Sequence, residues 1–300
     1  MSSTFALSAG NDLAHALMAH LAAGAGIRVL SIKGFVADRY GLREPRVAAD
    51  ADVLIEPSRF DDFCALLSAR GWRLRHERQV PSLMAQHSAT YIHDGWPNDI
   101  DAHIYFPGFF GRYEDAFDAL WSSRSTMTIA QTEVNVPSRA GATVIAALHA
   151  LRYTHSSRHV GELTQVKRVL ADDFSDEERE QFVEVARAGG ALWVLQEVLA
   201  GIGVSENPDA TPAQQLLWNT NRATIEDGAA VSWLTALRGE RWYRKPVVIF
   251  HALWISREEI PRNDPNTLPT ALEAWRHRTM RWRRGAVALL HYVRLRLFKQ

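Results

Sequence analysis

Asp50 and Asp52 stand two residues apart, and the chain runs from them straight into Val53-Leu54-Ile55 before Pro57 closes the segment. On an extended strand such a pair shares one face, about 6.6 Å apart at Cα for a rise of ~3.3 Å per residue. Two carboxylates presented from one side of a buried strand can bind the same hard cation. Oxygen ligands of this kind suit Mg2+, which keeps waters and shares its shell with substrate phosphates. A second segment, Asn98-Asp99-Ile100-Asp101-Ala102-His103-Ile104, alternates in the same way. Asp99, Asp101 and His103 take one face, Ile100 and Ile104 the other. A face of two carboxylates and an imidazole is expensive to bury without a cation or partners. With the two strands side by side, Asp101 completes a three-carboxylate site, and Asp99 is the alternative third member. An isolated Asp-x-Asp is commonly a solvated strand end; the second segment argues against that here. His87, His93 and His103 lack the compact spacing of a zinc site, and a carboxylate-dominated set favours a hard cation.

Three further groups bear on an anionic substrate. Lys33-Gly34 follows the apolar run Ile27–Ile32 and opens a short helix. A glycine at such a turn lets backbone N–H groups approach phosphate oxygens. Arg46 lies four residues before Asp50 and suits either a phosphate contact or an ion pair with Glu44 or Glu56. Along the helix expected after Pro137, His149, Arg152, Tyr153 and Ser156 form a polar stripe amid Ala and Leu. His149 and Arg152 are candidates for lining an acceptor cleft or supporting the carboxylates, as is His103. The continuation from Ser156 to His159 reads as a solvated face.

The order of these motifs resembles a known family. Lys-Gly, Arg-x-x-x-Asp-x-Asp before an apolar run, a helix ending at Gly71-Trp72, and Asp101-x-His103 on a later strand are similar to the bacterial uncharacterised nucleotidyltransferases. These belong to the DNA polymerase β-like superfamily, and the similarity spans residues 27–175. It implies transfer of a nucleoside monophosphate from an NTP such as ATP to a hydroxyl or phosphate, with release of pyrophosphate. The implied cofactor is Mg2+ or Mn2+, as two ions, with Asp50 and Asp52 on both and Asp101 on the catalytic one. Lys33, Gly34 and Arg46 are the implied nucleotide contacts. The implied acceptor is unassigned: a small molecule, a peptide or protein, or RNA, a modified peptide being one candidate. Two alternatives keep the same site: a non-catalytic nucleotide-binding protein, and a kinase-like phosphoryl transferase.

The elements that must position these residues fit two domains. An Ala- and Leu-rich helix over 5–25 precedes strands near 27–32, 51–55, 72–76, 88–94 and 99–104, with helices over 58–70 and 113–121 and a hairpin over 127–136. Residues 1–137 thus read as an α+β nucleotidyltransferase domain, a mixed sheet flanked by helices. Residues 138–300 read as an all-helical domain, with helices over 138–155, 159–172, 175–188, 190–202, 212–221, 226–238, 246–258 and 268–298. With 47% hydrophobic residues the chain can bury a sizeable core. The single cysteine, Cys64, rules out a disulfide framework and suits a reducing compartment. No run approaches the ~18 apolar residues of a membrane span, and the N-terminal segment lacks the pattern of a signal peptide. The expected location is the cytoplasm. From Trp275 to Gln300 there are eight Lys/Arg and no acid. Packing of that helix's apolar face is preferred over nucleic-acid binding.

Overall fold

In the computed structural model, which describes residues 6–75, 87–153, 156–205, 210–226, 237, 241–255, 257, 260 and 269–297, the two carboxylate-bearing segments are adjacent strands. Helix α1 (Leu7–Ala25) ends at Gly26, whose φ of 63° is left-handed. Strand β1 (Val29–Ser31), helix α2 (Gly34–Arg39) and strand β2 (Asp50–Ile55) follow. Next come helix α3 (Phe60–Ser68) and strands β3 (Arg73–Leu74), β4 (Ser88–Ile92) and β5 (Asp99–His103). The sheet order is β1-β2-β5-β4-β3. Among the described strands of this sheet only β2 and β5 are parallel, and their register sets Asp50 beside Asp99 and Asp52 beside Asp101. A parallel neighbour requires a crossover, supplied here by α3 and the β3–β4 hairpin.

The pleat separates core from chemistry. Val53 and Ile55 of β2 and Ile100 and Ala102 of β5 pack with Met18, Leu21 and Ala22 of α1 and Phe63 and Leu67 of α3. The alternate residues, Asp50 and Asp52 with Asp101 and His103, therefore face the other way. A one-residue slip of either strand would bury its carboxylates in this core, so burial of Ile100 fixes the register of the acids.

Beyond the sheet lie α4 (Tyr113–Ser122) and the hairpin of β6 (Ser125–Ile129) with β7 (Thr132–Val136). Ala130 and Gln131 turn the hairpin, both at positive φ, 45° and 62°, as a two-residue turn matched to strand twist requires. Ser138 caps α5 (Arg139–Leu151) by accepting from the Gly141 amide at 3.2 Å. Helix α6 (Ser157–Arg168) widens into a π-turn over Val169–Asp173. Helix α7 (Asp176–Ala188) begins with a capping box of Ser175 and Glu178, and α8 (Gln196–Ala200) follows. At the end of α7, the Gly189 carbonyl accepts from both the Phe110 and Gly111 amides at 2.9 Å. A Cβ on Gly190, at φ +64°, would lie 2.6 Å from the Gly111 nitrogen, so only glycine fits there. These helices form one compact unit with the sheet, which runs to Thr211, past the change from strands to helices at Pro137.

A second unit takes the chain from Pro212. It contains α9 (Pro212–Glu226), α10 (Lys245–Leu253) and α11 (Ala271–Leu297). The Trp282 indole donates to the Leu253 carbonyl at 2.7 Å, and the Arg278 guanidinium donates to the Ile255 carbonyl and lies 4.0 Å from the Trp254 ring centroid. The expected helix over 226–238 lies almost wholly outside the described residues, as do the side chains of Leu289, Leu290, Val293 and Leu297 on the tail helix. No helix among the described residues is long and apolar enough to cross a membrane.

His15 of α1 ties the helix to the sheet: its Nδ1 lies 2.9 Å from Ser31 Oγ, and its ring meets Phe35 edge-on. Burial lowers its pKa from 6.5 to about 4, against the opposing charge of Asp52. The folded state therefore binds this proton less readily than the unfolded chain. Its contribution is intact above pH 6.5 and is lost as pH falls towards 4, by up to about 3 kcal/mol. Urea unfolding of wild type and His15→Leu at pH 7 and pH 4.5 should show a smaller acid-induced loss in the variant.

Candidate active site

Asp52, only 5% exposed, stands at the centre of the polar face. Its Oδ1 accepts from Lys33 Nζ at 2.5 Å and from His103 Nε2 at 2.9 Å. The same His103 nitrogen lies 3.0 Å from Asp101 Oδ2. Because a carboxylate can only accept, Nε2 must carry a proton. Thr90 of the neighbouring strand donates to Asp101 Oδ1 at 3.2 Å. The segment before β2 is held by side-chain amides: Asn11 donates to the Asp50 carbonyl at 2.7 Å, and Asn98 to the Ala49 carbonyl at 3.2 Å. Asp99, the alternative third carboxylate, is turned to Arg75 at 2.6 Å instead.

The charges are strongly coupled. Burial alone would raise the Asp52 carboxyl, but Lys33 and the His103 hydrogen bond outweigh it and hold the group below its usual value. Asp101 behaves likewise, with His103 prevailing over burial. His103 is pulled the other way: burial lowers it, yet Asp101 and Asp52 raise it overall and favour the protonated ring. At Asp50, burial and the neighbouring Asp52 raise the carboxyl, against the opposing pull of Lys33. Lys33 reaches this cluster from a backbone at φ 56° and ψ −142°, a region that costs a non-glycine residue about 1–3 kcal/mol.

A cleft of about 320 Å3 opens beside the cluster. Lys33, Gly34, Arg46, Asp50, Asp52 and His149 all line it, together with Glu162 and Arg158 of α6. Gly34, at φ +36°, is demanded by the turn more than by crowding, since a Cβ there would meet only Ala48 at 3.7 Å. Arg46 is paired, but not with Glu44 or Glu56: its Nη1 donates to Glu162 Oε1 at 2.6 Å, while Glu56 takes Arg28. His149 Nδ1 lies 3.9 Å from Glu162 Oε2, and burial keeps its pKa well below 6.5. His159 is buried rather than solvated, stacked on Tyr153 at 4.3 Å. Arg152 does not line the cleft; it is largely enclosed, with its charged carbon 5.8 Å from the Tyr153 ring centroid. Glu162 escaped the sequence reading, although it is the sole acid of α6 in a basic helix, and that was the available signal.

Asp52, Asp101 and His103 each bring a ligand atom within 4.8 Å of the others. Carboxylates from two adjacent strands, with Asp50 at the cleft margin, make an oxygen-weighted set that fits a hard divalent cation such as Mg2+ or Mn2+. His149, His159 and Glu162 form a second such group, but its carboxylate already serves Arg46, whose charge opposes a cation.

Comparison with curated proteins yields no match. Solved structures that match include two of low identity. One is the solution structure of the antibiotic-resistance factor ANT(2'')-Ia, at 14% identity and TM-score 0.40, covering 63% of this chain and 95% of that one. The other is an antigenic nucleotidyltransferase-like protein from Paracoccidioides brasiliensis, at 11% identity and TM-score 0.37, covering 66% and 94%. The model of the family described as uncharacterised nucleotidyltransferase matches residues 11–202, which takes in the whole sheet, the cleft and α5 to α8. The chain belongs to that family.

Proposed function

We propose that this protein transfers a nucleoside monophosphate from an NTP to a hydroxyl or phosphate group of an acceptor, with Asp50, Asp52 and Asp101 as the catalytic carboxylates. The observation that carries the reading is the pairing of Asp52 with Asp101 in parallel register on the polar face, beside a cleft lined by Lys33, Gly34 and Arg46. The acceptor oxygen forms a bond to the α-phosphorus as the bond to pyrophosphate breaks. Asp101, kept ionised by His103, receives the acceptor's proton. Asp50, Asp52 and Asp101 would hold a divalent cation, which when bound would supply charge neutralisation on the phosphates and acidify the attacking hydroxyl. The chain's own work is positioning and electrostatics, with little covalent chemistry. The Gly34 backbone and Arg46 contact the triphosphate, while Glu162 holds the Arg46 guanidinium in place across the cleft. His149 lines the same wall. We further propose that residues 1–137 carry the transfer chemistry and that the helices after Pro137 supply the facing wall of the cleft.

Two measurements test this. Incubation with α-32P-labelled NTPs and a cell extract should label an acceptor, and Asp52→Asn should abolish the labelling while leaving the protein folded. Label carried over from γ-32P-NTP instead would make the enzyme a phosphoryl transferase. Arg46→Ala should raise the KM for NTP about tenfold with little change in kcat, the loss of one charge-assisted contact made equally in ground and transition states.

A further inference from the structure

Asp52 offers two oxygens, each with two lone pairs. Oδ1 is fully used: Lys33 Nζ lies 2.5 Å from it and His103 Nε2 2.9 Å. Of the Asp101 oxygens, Oδ2 faces His103 at 3.0 Å and Oδ1 accepts from Thr90 at 3.2 Å. Asp52 could join two ions only through both of its oxygens, and with Oδ1 taken only Oδ2 is left for an ion. The place beside Oδ1 is filled by the Lys33 ammonium and the His103 ring.

Lys33 is built into that place. Its side chain is only 20% exposed, and its Nζ lies 5.8 Å from the centroid of the buried Phe106 ring. Its backbone carries the unfavourable φ of 56° at the turn from β1 into α2. Lys33 lines the cleft with its ammonium held against Asp52.

We infer that Lys33 takes the place of one of the two metal ions, so that the site works with a single divalent cation. This rests on the nucleotidyltransferase reading and deepens it. A tethered ammonium delivers part of the second ion's charge neutralisation beside the triphosphate without having to be recruited from solution. It cannot be lost by dilution or chelation, and Asp52 Oδ2, Asp50 and Asp101 would remain to hold the single dication.

The test is the number of ions bound. The full-length protein is mixed with Mn2+ and an equimolar mixture of the α,β-methylene analogues of ATP, GTP, CTP and UTP, and bound Mn2+ is counted by electron paramagnetic resonance. Wild type should bind one Mn2+ per chain, with the six-line spectrum of an isolated ion. Lys33→Met should bind two and show the broadened spectrum of an exchange-coupled pair; Lys33→Arg, which keeps the charge, should bind one. Two coupled ions in wild type, or one ion in Lys33→Met, would overturn the role of the lysine and leave the transferase reading standing. Absence of analogue-dependent Mn2+ binding in wild type would overturn both.

Discussion

The buried Asp52 carboxylate is the constraint from which the rest of this structure follows. An ionised carboxylate removed from water is costly unless paired and hydrogen-bonded. Here the compensation comes from two directions: Lys33 from the turn after β1, and His103 from β5. Each contact presupposes a correct piece of backbone. The lysine arrives only if the β1–α2 turn accepts a strained residue. The histidine arrives only if β2 and β5 pair in parallel with Asp52 beside Asp101. Fold and charge cluster therefore support one another, and removing either partner would leave the buried charge with only the other.

The layers divide this labour. One face of the sheet is closed by α1 and α3 through Val53, Ile55, Ile100 and Ala102, which fixes strand register without involving a polar group. The opposite face carries the acids and opens on a cleft whose far wall is made by α5 and α6. On that wall, Glu162 is the counterpart of Asp52: one acid that gathers Arg46 and approaches His149, so that a cationic side chain is held pointing at the cleft. The cleft thus carries Asp50 and Asp52 together with Lys33 and Arg46, so that groups suited to a cation and groups suited to an anionic ligand line one cavity.

Much of this could be read from the chain itself. The period-two alternation of Asp50/Asp52 and of Asp101/His103 follows from residue type and spacing alone, as do the helices of the first unit and the break at Gly189-Gly190. Contacts between residues distant in sequence could not be read that way. Arg46 had two acids close by in sequence and chose a third, Glu162, from a helix more than a hundred residues on. His159 has the spacing of a solvated stripe, but α5 and Tyr153 cover it. Arg152 caps the end of α5 and does not line the cleft, although its spacing of three from His149 places the two on one side of the helix.

The sequence by itself determined which residues could carry chemistry and which face of each strand they share, because side-chain alternation is a local property of the extended chain. Tertiary structure alone decided that β2 and β5 are parallel neighbours in the register that brings Asp52 to Asp101. It alone also decided that Lys33 turns back onto Asp52. Strand order and charge pairing are settled by burial and desolvation across the whole fold, and no local pattern encodes them.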